Sequence, residues 1–310
     1  MRRYKFYFFE CVFFLLTFTS CYKIVNIELP EVPPTLVVNS LITSNENIYV
    51  YVSSTKSPYD IDDKIIEDAL VIIKTEHNNI DTLCYVGDGI YESNLLGING
   101  LTYYIEVFKD GYNKVYSSDY IPNTFICNFT NFTDSVGIGS PSVGDKSSYY
   151  SKFDISINDN GLEKNFYEVY GYLIVRHKPN DIPTIWHMTC FSSDLIIKNE
   201  GFNDLTSKSL LFSDELFNGE NRSIEINYYP LSYSNNTLVD PNYSAIVCVR
   251  NVSENYFNYK KDLAIHSYGA AEFDFWSVTG NPVPMSSNIK DGYGVFAGYT
   301  EIMDTICKAK

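Results

Sequence analysis

Asp81-Thr82-Leu83-Cys84-Tyr85-Val86, then Gly87-Asp88-Gly89, then Ile90-Tyr91-Glu92-Ser93: this stretch decides the fold. Two short runs of strand-forming residues flank an Asp-Gly pair. That pair tolerates the positive φ angles of a tight two-residue turn, so the stretch predicts a β-hairpin. Upstream, Thr35 to Thr43 and Asn47 to Thr55 read as strands, the second alternating cleanly through Ile48, Val50 and Val52, and Asp68 to Thr75 follows. Downstream, Leu101 to Phe108 and Lys114 to Tyr120 form a second hairpin across Lys109-Asp110-Gly111. Short strands at this spacing, with turn chemistry between them, predict an immunoglobulin-like β-sandwich over residues 35–121. A Cys-Trp-Cys pattern is lacking, which excludes the antibody type.

Residues 122–148 read as a linker with an embedded strand, broken by Gly137, Gly139, Ser140, Pro141 and Gly144. A second β domain is predicted over 149–310. Its strands are Tyr150 to Asn158, Asn165 to Arg176, Arg222 to Leu231 and Tyr243 to Asn251, with weaker ones at Thr184 to Phe191 and Ser209 to Phe212. One helix is predicted near 253–265. Ser253 is its N-cap, Glu254 sits at the positive end of the dipole, and Tyr256, Phe257, Tyr259, Leu263 and Ala264 form its apolar stripe. The expected class is all-β: an N-terminal immunoglobulin-like sandwich and a larger C-terminal β-sandwich with one helix.

Before these domains, Arg2, Arg3 and Lys5 precede the apolar run Phe6 to Phe18 and then Thr19-Ser20-Cys21. A basic start, a short apolar core and small residues before a cysteine predict a lipoprotein signal peptide, residues 1–20, with Cys21 as the lipidated first residue. The run is shorter than the roughly 20 apolar residues that span a bilayer. Residues 21–34 form a tether stiffened by Pro30, Pro33 and Pro34.

The full chain carries a formal charge of −15; loss of three cations and one acid with the signal leaves −17. Such a surface repels phosphate backbones, which argues against nucleic acid as a partner. Tyr and Phe are abundant, at 27 and 20, and strand packing accounts for them more simply than an aromatic ligand face does. Cys84, Cys127, Cys190, Cys248 and Cys307 are widely spaced with no CxxC, so they are expected to be mostly buried free thiols.

Chemistry-bearing motifs are few. His77, His177, His187 and His266 show no metal-ligand spacing, although His177 and His187 flank a turn and could approach each other. Asp60-Ile61-Asp62-Asp63 departs from a calcium loop because no turn glycine follows. Nucleophile elbows and phosphate loops are absent. Hence no catalytic, cofactor-binding or metal residue is assigned, and no cofactor is expected.

Three segments carry a resemblance. They are Leu29-Pro30 through Leu36-Val37-Val38-Asn39-Ser40-Leu41-Ile42, the strand and S-x-x-Y-x-x-Y helix of Val249 to Tyr259, and the ending from Asn281-Pro282 through Ser287-Asn288-Ile289 to Gly292, Gly294, Phe296, Gly298 and Tyr299. Together the chain resembles the domain-of-unknown-function family 4249 of Bacteroidetes lipoproteins. The resemblance implies an outer-membrane lipoprotein encoded beside TonB-dependent transporters, and it transfers no catalytic residue. The glycines and Asn288 of the ending suit turns and strand packing, while a ligand loop on Asn288 and Asp291 is the functional alternative. The expected role is a non-catalytic accessory protein of a TonB-dependent transporter that captures a small-molecule, glycan or peptide ligand. A structural or adhesive envelope lipoprotein is the alternative.

Overall fold

A computed structural model describes residues 32–57, 60, 64–139, 148–175, 182–201, 203, 208–229, 243–271 and 284–307. Pro34–Lys310 is one compact unit. Cys21 and the signal segment lie outside the described residues.

The first strands are β1 (Leu36–Thr43), β2 (Asn47–Ser54), β3 (Lys64–Ile65), β4 (Leu70–Thr75), β5 (Ile80–Thr82), β6 (Cys84–Gly87), β7 (Ile90–Leu96), β8 (Thr102–Phe108) and β9 (Val115–Tyr120). They pair in the orders β1-β2-β7-β6 and β5-β4-β8-β9, which is the two-sheet pattern of an immunoglobulin sandwich. The predicted hairpin is β6–β7, with Asp88 and Gly89 both at positive φ. Tyr103 at the start of β8 supplies a tyrosine corner: its hydroxyl accepts from Ile98 N at 2.9 Å and donates to Leu96 O at 3.2 Å.

The second lobe contains β10 (Ile126–Gly139), β11 (Ser148–Asn158), β12 (Phe166–Val175), β13 (Thr184–His187), β14 (Thr189–Phe191), a short helix α1 (Leu195–Asn199), β15 (Ser209–Ser213), β16 (Asn221–Tyr229), β17 (Tyr243–Val252), helix α2 (Glu254–Ala271) and β18 (Tyr293–Cys307). One sheet, β10-β11-β16-β14, faces the half-sheet β13-β12-β17-β18, with β15 beside β12. The strand embedded in the expected linker is β10, paired along β11.

Two stretches expected as single strands each divide between sheets. Leu83 separates β5 from β6, and Met188 separates β13 from β14. Both are buried and both donate backbone hydrogen bonds at the crossing, Leu83 N to Val71 O and Met188 N to Gly171 O, each at 2.9 Å. An apolar side chain in the core and a satisfied N–H make the crossing inexpensive.

The two lobes share one 10-stranded sheet. Strand β18 joins them: it runs parallel to β1 from Tyr293 to Tyr299 and antiparallel to β17 from Tyr299 to Cys307. At about 3.3 Å per residue its 15 residues extend roughly 50 Å. Phe296 therefore fills the N-terminal core, beside Ile289 from the segment before the strand, while Ile302 and Ile306 pack on the C-terminal one. The N-terminal sandwich is not built from residues 35–121 alone.

Where β18 changes partner, part of its edge faces side chains instead of a strand. Asn288 donates from Nδ2 to Phe296 O at 2.6 Å, and its Oδ1 accepts from Phe296 N at 2.9 Å. Gly298 N donates to Asp119 Oδ2 at 3.3 Å, and Gly298 O accepts from Ser253 N at 2.9 Å. The glycines of this ending have packing reasons. A Cβ on Gly298 would lie 2.0 Å from Tyr120 O, and one on Gly294, at φ +110°, would lie 2.1 Å from Val38 O.

Helix α2 covers the outer face of the shared sheet through Tyr256 and Phe257, which pack with Phe166, Leu211, Val252, Val295 and Ala297. It starts at Ser253 as predicted, and Tyr256 N donates to Ser253 Oγ at 3.3 Å. It extends to Ala271 rather than ending near 265. Leu263, expected in the stripe, is 38% exposed; Ile265 packs against the cluster instead. Tyr91, Tyr103, Tyr167, Tyr228 and Tyr256 are fully buried, so strand packing accounts for much of the tyrosine content. Cys127, Cys190 and Cys248 are buried free thiols and Cys84 is an exposed one. Burial pushes Cys127 and Cys190 up to about 12 and Cys248 to about 11, which makes them inert.

Candidate functional site

Where the chain passes from β9 into β10, it borders a cleft of about 190 Å³. Asn123 to Ile126 form one wall; Asn158, Asp159, Asn160, Glu163, Asn165, Tyr167 and Asn251 form the rest. The turn after β11 builds the floor. The Asp159 carboxylate accepts from Gly161 N at 3.1 Å, Gly219 N at 2.7 Å, Asn165 Nδ2 at 3.2 Å and the Tyr167 hydroxyl at 2.9 Å. Gly161 is required there: at φ +65°, a Cβ would lie 2.7 Å from Gly219 Cα. Asn165 also donates from its backbone N to Asp214 Oδ2 at 2.7 Å and from Nδ2 to Glu163 O at 2.9 Å. Burial raises the Asp214 carboxyl, the Asn165 bonds oppose this, and the Asp159 charge adds to it. Burial and the Asp159 charge likewise raise the Tyr167 phenol.

The floor carboxylates are thus committed to holding the turn. Asn251 is different. It is 4% exposed, yet its amide makes only long contacts, from Nδ2 to Asn123 O and to Asn165 Oδ1, both at 3.4 Å. Among the described residues its Oδ1 receives no hydrogen bond. Around it the exposed amides of Asn123, Asn158 and Asn160 form a rim, with Glu163 beside them. Phe125 stands against Tyr167 with ring centroids 5.7 Å apart, and Ile126 is exposed on the same wall. Among the described residues no Lys or Arg lines the cleft, so these offer no cation to an anionic ligand.

The loop expected from sequence lies elsewhere. Asn288 lines a second pocket of about 260 Å³ with Asn255, Asn258, Ser286, Ser287 and Val295. Its side chain is consumed by the Phe296 backbone, and its own carbonyl accepts from Ser117 Oγ at 2.8 Å. Asp291 is not in that pocket; it is an exposed turn residue at φ 60°. Asn288 is therefore a strand-edge clamp, and the two residues do not converge on one ligand. The cleft went unread in the sequence because Asn123, Asn158 to Asn165 and Asn251 are far apart along it. The one local signal is the Asn158-Asp159-Asn160 run, which reads equally as a turn.

A second buried polar cluster lies beneath α2. Glu168 accepts from Tyr256 Oη at 2.5 Å and pairs with Arg250 at 3.4 Å and Lys260 at 3.2 Å. Arg250 also pairs with Glu301 at 2.7 Å and lies between the rings of Tyr170 and Tyr299, at 4.6 and 4.2 Å. Tyr170 closes the set by donating to Glu301. Charges and rings are matched within the cluster, which marks it as structural.

The remaining expectations resolve simply. His187 is exposed with its ring 4.8 Å from Tyr172, and His177 lies outside the described residues. Asp60 pairs with Lys64 at 2.8 Å; Ile61 to Asp63 lie outside the described residues. Among the described residues no three His, Cys, Asp or Glu side chains could hold a metal ion, and no helix is long and apolar enough to cross a membrane.

Comparison with known proteins adds a family. The family model described as "Domain of unknown function (DUF4249)" matches residues 22–304. No curated protein matches the chain.

Proposed function

The chain belongs to the DUF4249 family, and from that premise we propose that it is a non-catalytic outer-membrane lipoprotein that captures a ligand for a TonB-dependent transporter. The observation that carries this reading is the polar cleft, where a buried Asn251 amide faces an amide rim while the buried carboxylates Asp159 and Asp214 are tied into the fold. A site with donors, acceptors and an aromatic wall, but with its buried acids occupied, suits binding rather than bond-breaking. The N-terminal segment supports the address. Acyl chains on Cys21 add about 0.8 kcal/mol per buried CH₂ and would hold the protein at high local concentration beside a transporter.

The test is co-purification of the native protein from solubilised outer membranes, with partners identified by mass spectrometry. A stoichiometric TonB-dependent transporter is the expected result. Recovery of the protein alone, or with envelope scaffold proteins only, would overturn the transporter role in favour of a structural or adhesive one. Replacing Cys21 by Ser should release the protein from the membrane fraction.

A further inference from the structure

Resting on the capture role proposed above, we infer that the ligand of the cleft is a neutral sugar unit, bound through its hydroxyl groups. Three observations converge on that class. First, among the described residues no Lys or Arg lines the cleft, and Asp159 and Glu163 border it, so a phosphate or carboxylate would be desolvated without a partner there. Second, the buried acid cannot serve a cationic ligand well, because four donors already occupy the Asp159 oxygens. Third, the groups left over are amides: Asn251 from the floor and Asn123 and Asn158 from the rim, with the Nδ2 of Asn160, whose Oδ1 accepts from Leu162 N at 3.0 Å. An amide offers a donor and an acceptor side by side. A hydroxyl also donates and accepts, so adjacent hydroxyls on a ring match such a set. An apolar ligand would instead leave the buried Asn251 amide facing a group unable to bond it.

The walls fit the same ligand. Phe125 and the exposed Ile126 supply an apolar surface for the C–H face of a sugar ring, while the amides face its hydroxyl edge. The volume, about 190 Å³, is below the roughly 300–1,000 Å³ of ordinary small-molecule sites. It suits one ring rather than a chain of them. Because the cleft is open to solvent, that ring can be the terminal unit of a longer glycan.

The experiment is isothermal titration of the full mature chain with glucose, galactose, mannose and N-acetylglucosamine, with glucuronate, spermidine and a neutral tetrapeptide as contrasts. At least one neutral sugar should bind, glucuronate and spermidine at least tenfold more weakly. Asn251→Ala and Phe125→Ala should each weaken that sugar at least tenfold. Asn158→Ala, on the exposed rim, should do so severalfold with an unchanged Tm, which separates lost contact from lost fold. Preference for the tetrapeptide, the amine or the acid would overturn the sugar class, as would no binding by any probe. Sugar binding that survives Asn251→Ala and Phe125→Ala in folded protein would place the site elsewhere and overturn it too. Failure of the transporter role reads differently: sugar would still bind, but no transporter would co-purify.

Discussion

Two carboxylates are buried beside helix α2, and they sit in opposite environments. Glu168, under the body of the helix, faces Arg250 and Lys260; burial raises its pKa, but the two cations outweigh that and leave it below the usual carboxylate range. Asp119, from β9, lies at the helix start with no cation paired to it among the described residues. It accepts from Ser253 Oγ at 2.5 Å and from Gly298 N at 3.3 Å. These neutral donors do not offset burial, and its carboxyl is pushed up to about 6. Burial of both acids is therefore met by opposite titrations, decided by whether a full charge or only N–H and O–H groups face the acid. Asp119 ties the N-terminal lobe to α2 and β18 at the seam, whereas Glu168 ties strand β12 to the helix lying over it.

The largest effect should come from breaking the charged side. Arg250→Met leaves Glu168 with one cation and Glu301 with none, and should destabilise by about 3–5 kcal/mol in denaturant unfolding. A loss below about 1 kcal/mol would mean that the cluster contributes little.

The pH dependence should sharpen the contrast. For Asp119 the folded pKa is raised, so its contribution is fully present below the unfolded value of 3.8 and is lost as pH rises through about 6. That gap corresponds to roughly 3 kcal/mol. Glu168 has the reverse sign: its contribution is present above its unfolded value and is lost as pH falls through its lowered folded one. Guanidinium unfolding from pH 7.5 down to 5 should therefore show stability rising, and Asp119→Asn should remove most of that rise. An unchanged slope in the variant would assign the effect to another group.

Neutral clamps test whether the seam needs charge at all. Asn288→Ala strips the bonds to Phe296 N and O and should cost about 1–3 kcal/mol with no change in pH slope. The smallest effect is expected away from both acids. Tyr103→Phe removes the tyrosine corner and should cost about 1 kcal/mol at every pH.

Much of this molecule is legible in local residue order. The Asp88-Gly89 hairpin, the alternation through Ile48, Val50 and Val52, and the Ser253 cap each rest on neighbours within a few positions, and each appears where expected. The crossings at Leu83 and Met188 were not legible, because a strand that changes sheets keeps its strand-like composition. Leu263 illustrates the same limit in a helix: its spacing fits the stripe, but only the position of the sheet beneath α2 says where the stripe ends.

The sites divide in the same way. Asn288 and its glycines stand out as a motif, and a motif of that kind serves a ligand or a strand edge equally well until the partner of β18 is known. Its placement opposite Phe296 settles it as a clamp. The cleft is assembled from segments more than thirty residues apart, brought together because β10 pairs with β11 at Ile126 and Asn158 and β12 with β17 at Tyr167 and Asn251. Short-range propensity and patterning are written along the chain, so strands, turns and the all-β class follow from residue order. Which carboxylate meets a cation, and which amides meet around one cavity, depends on long-range packing that no stretch of sequence contains.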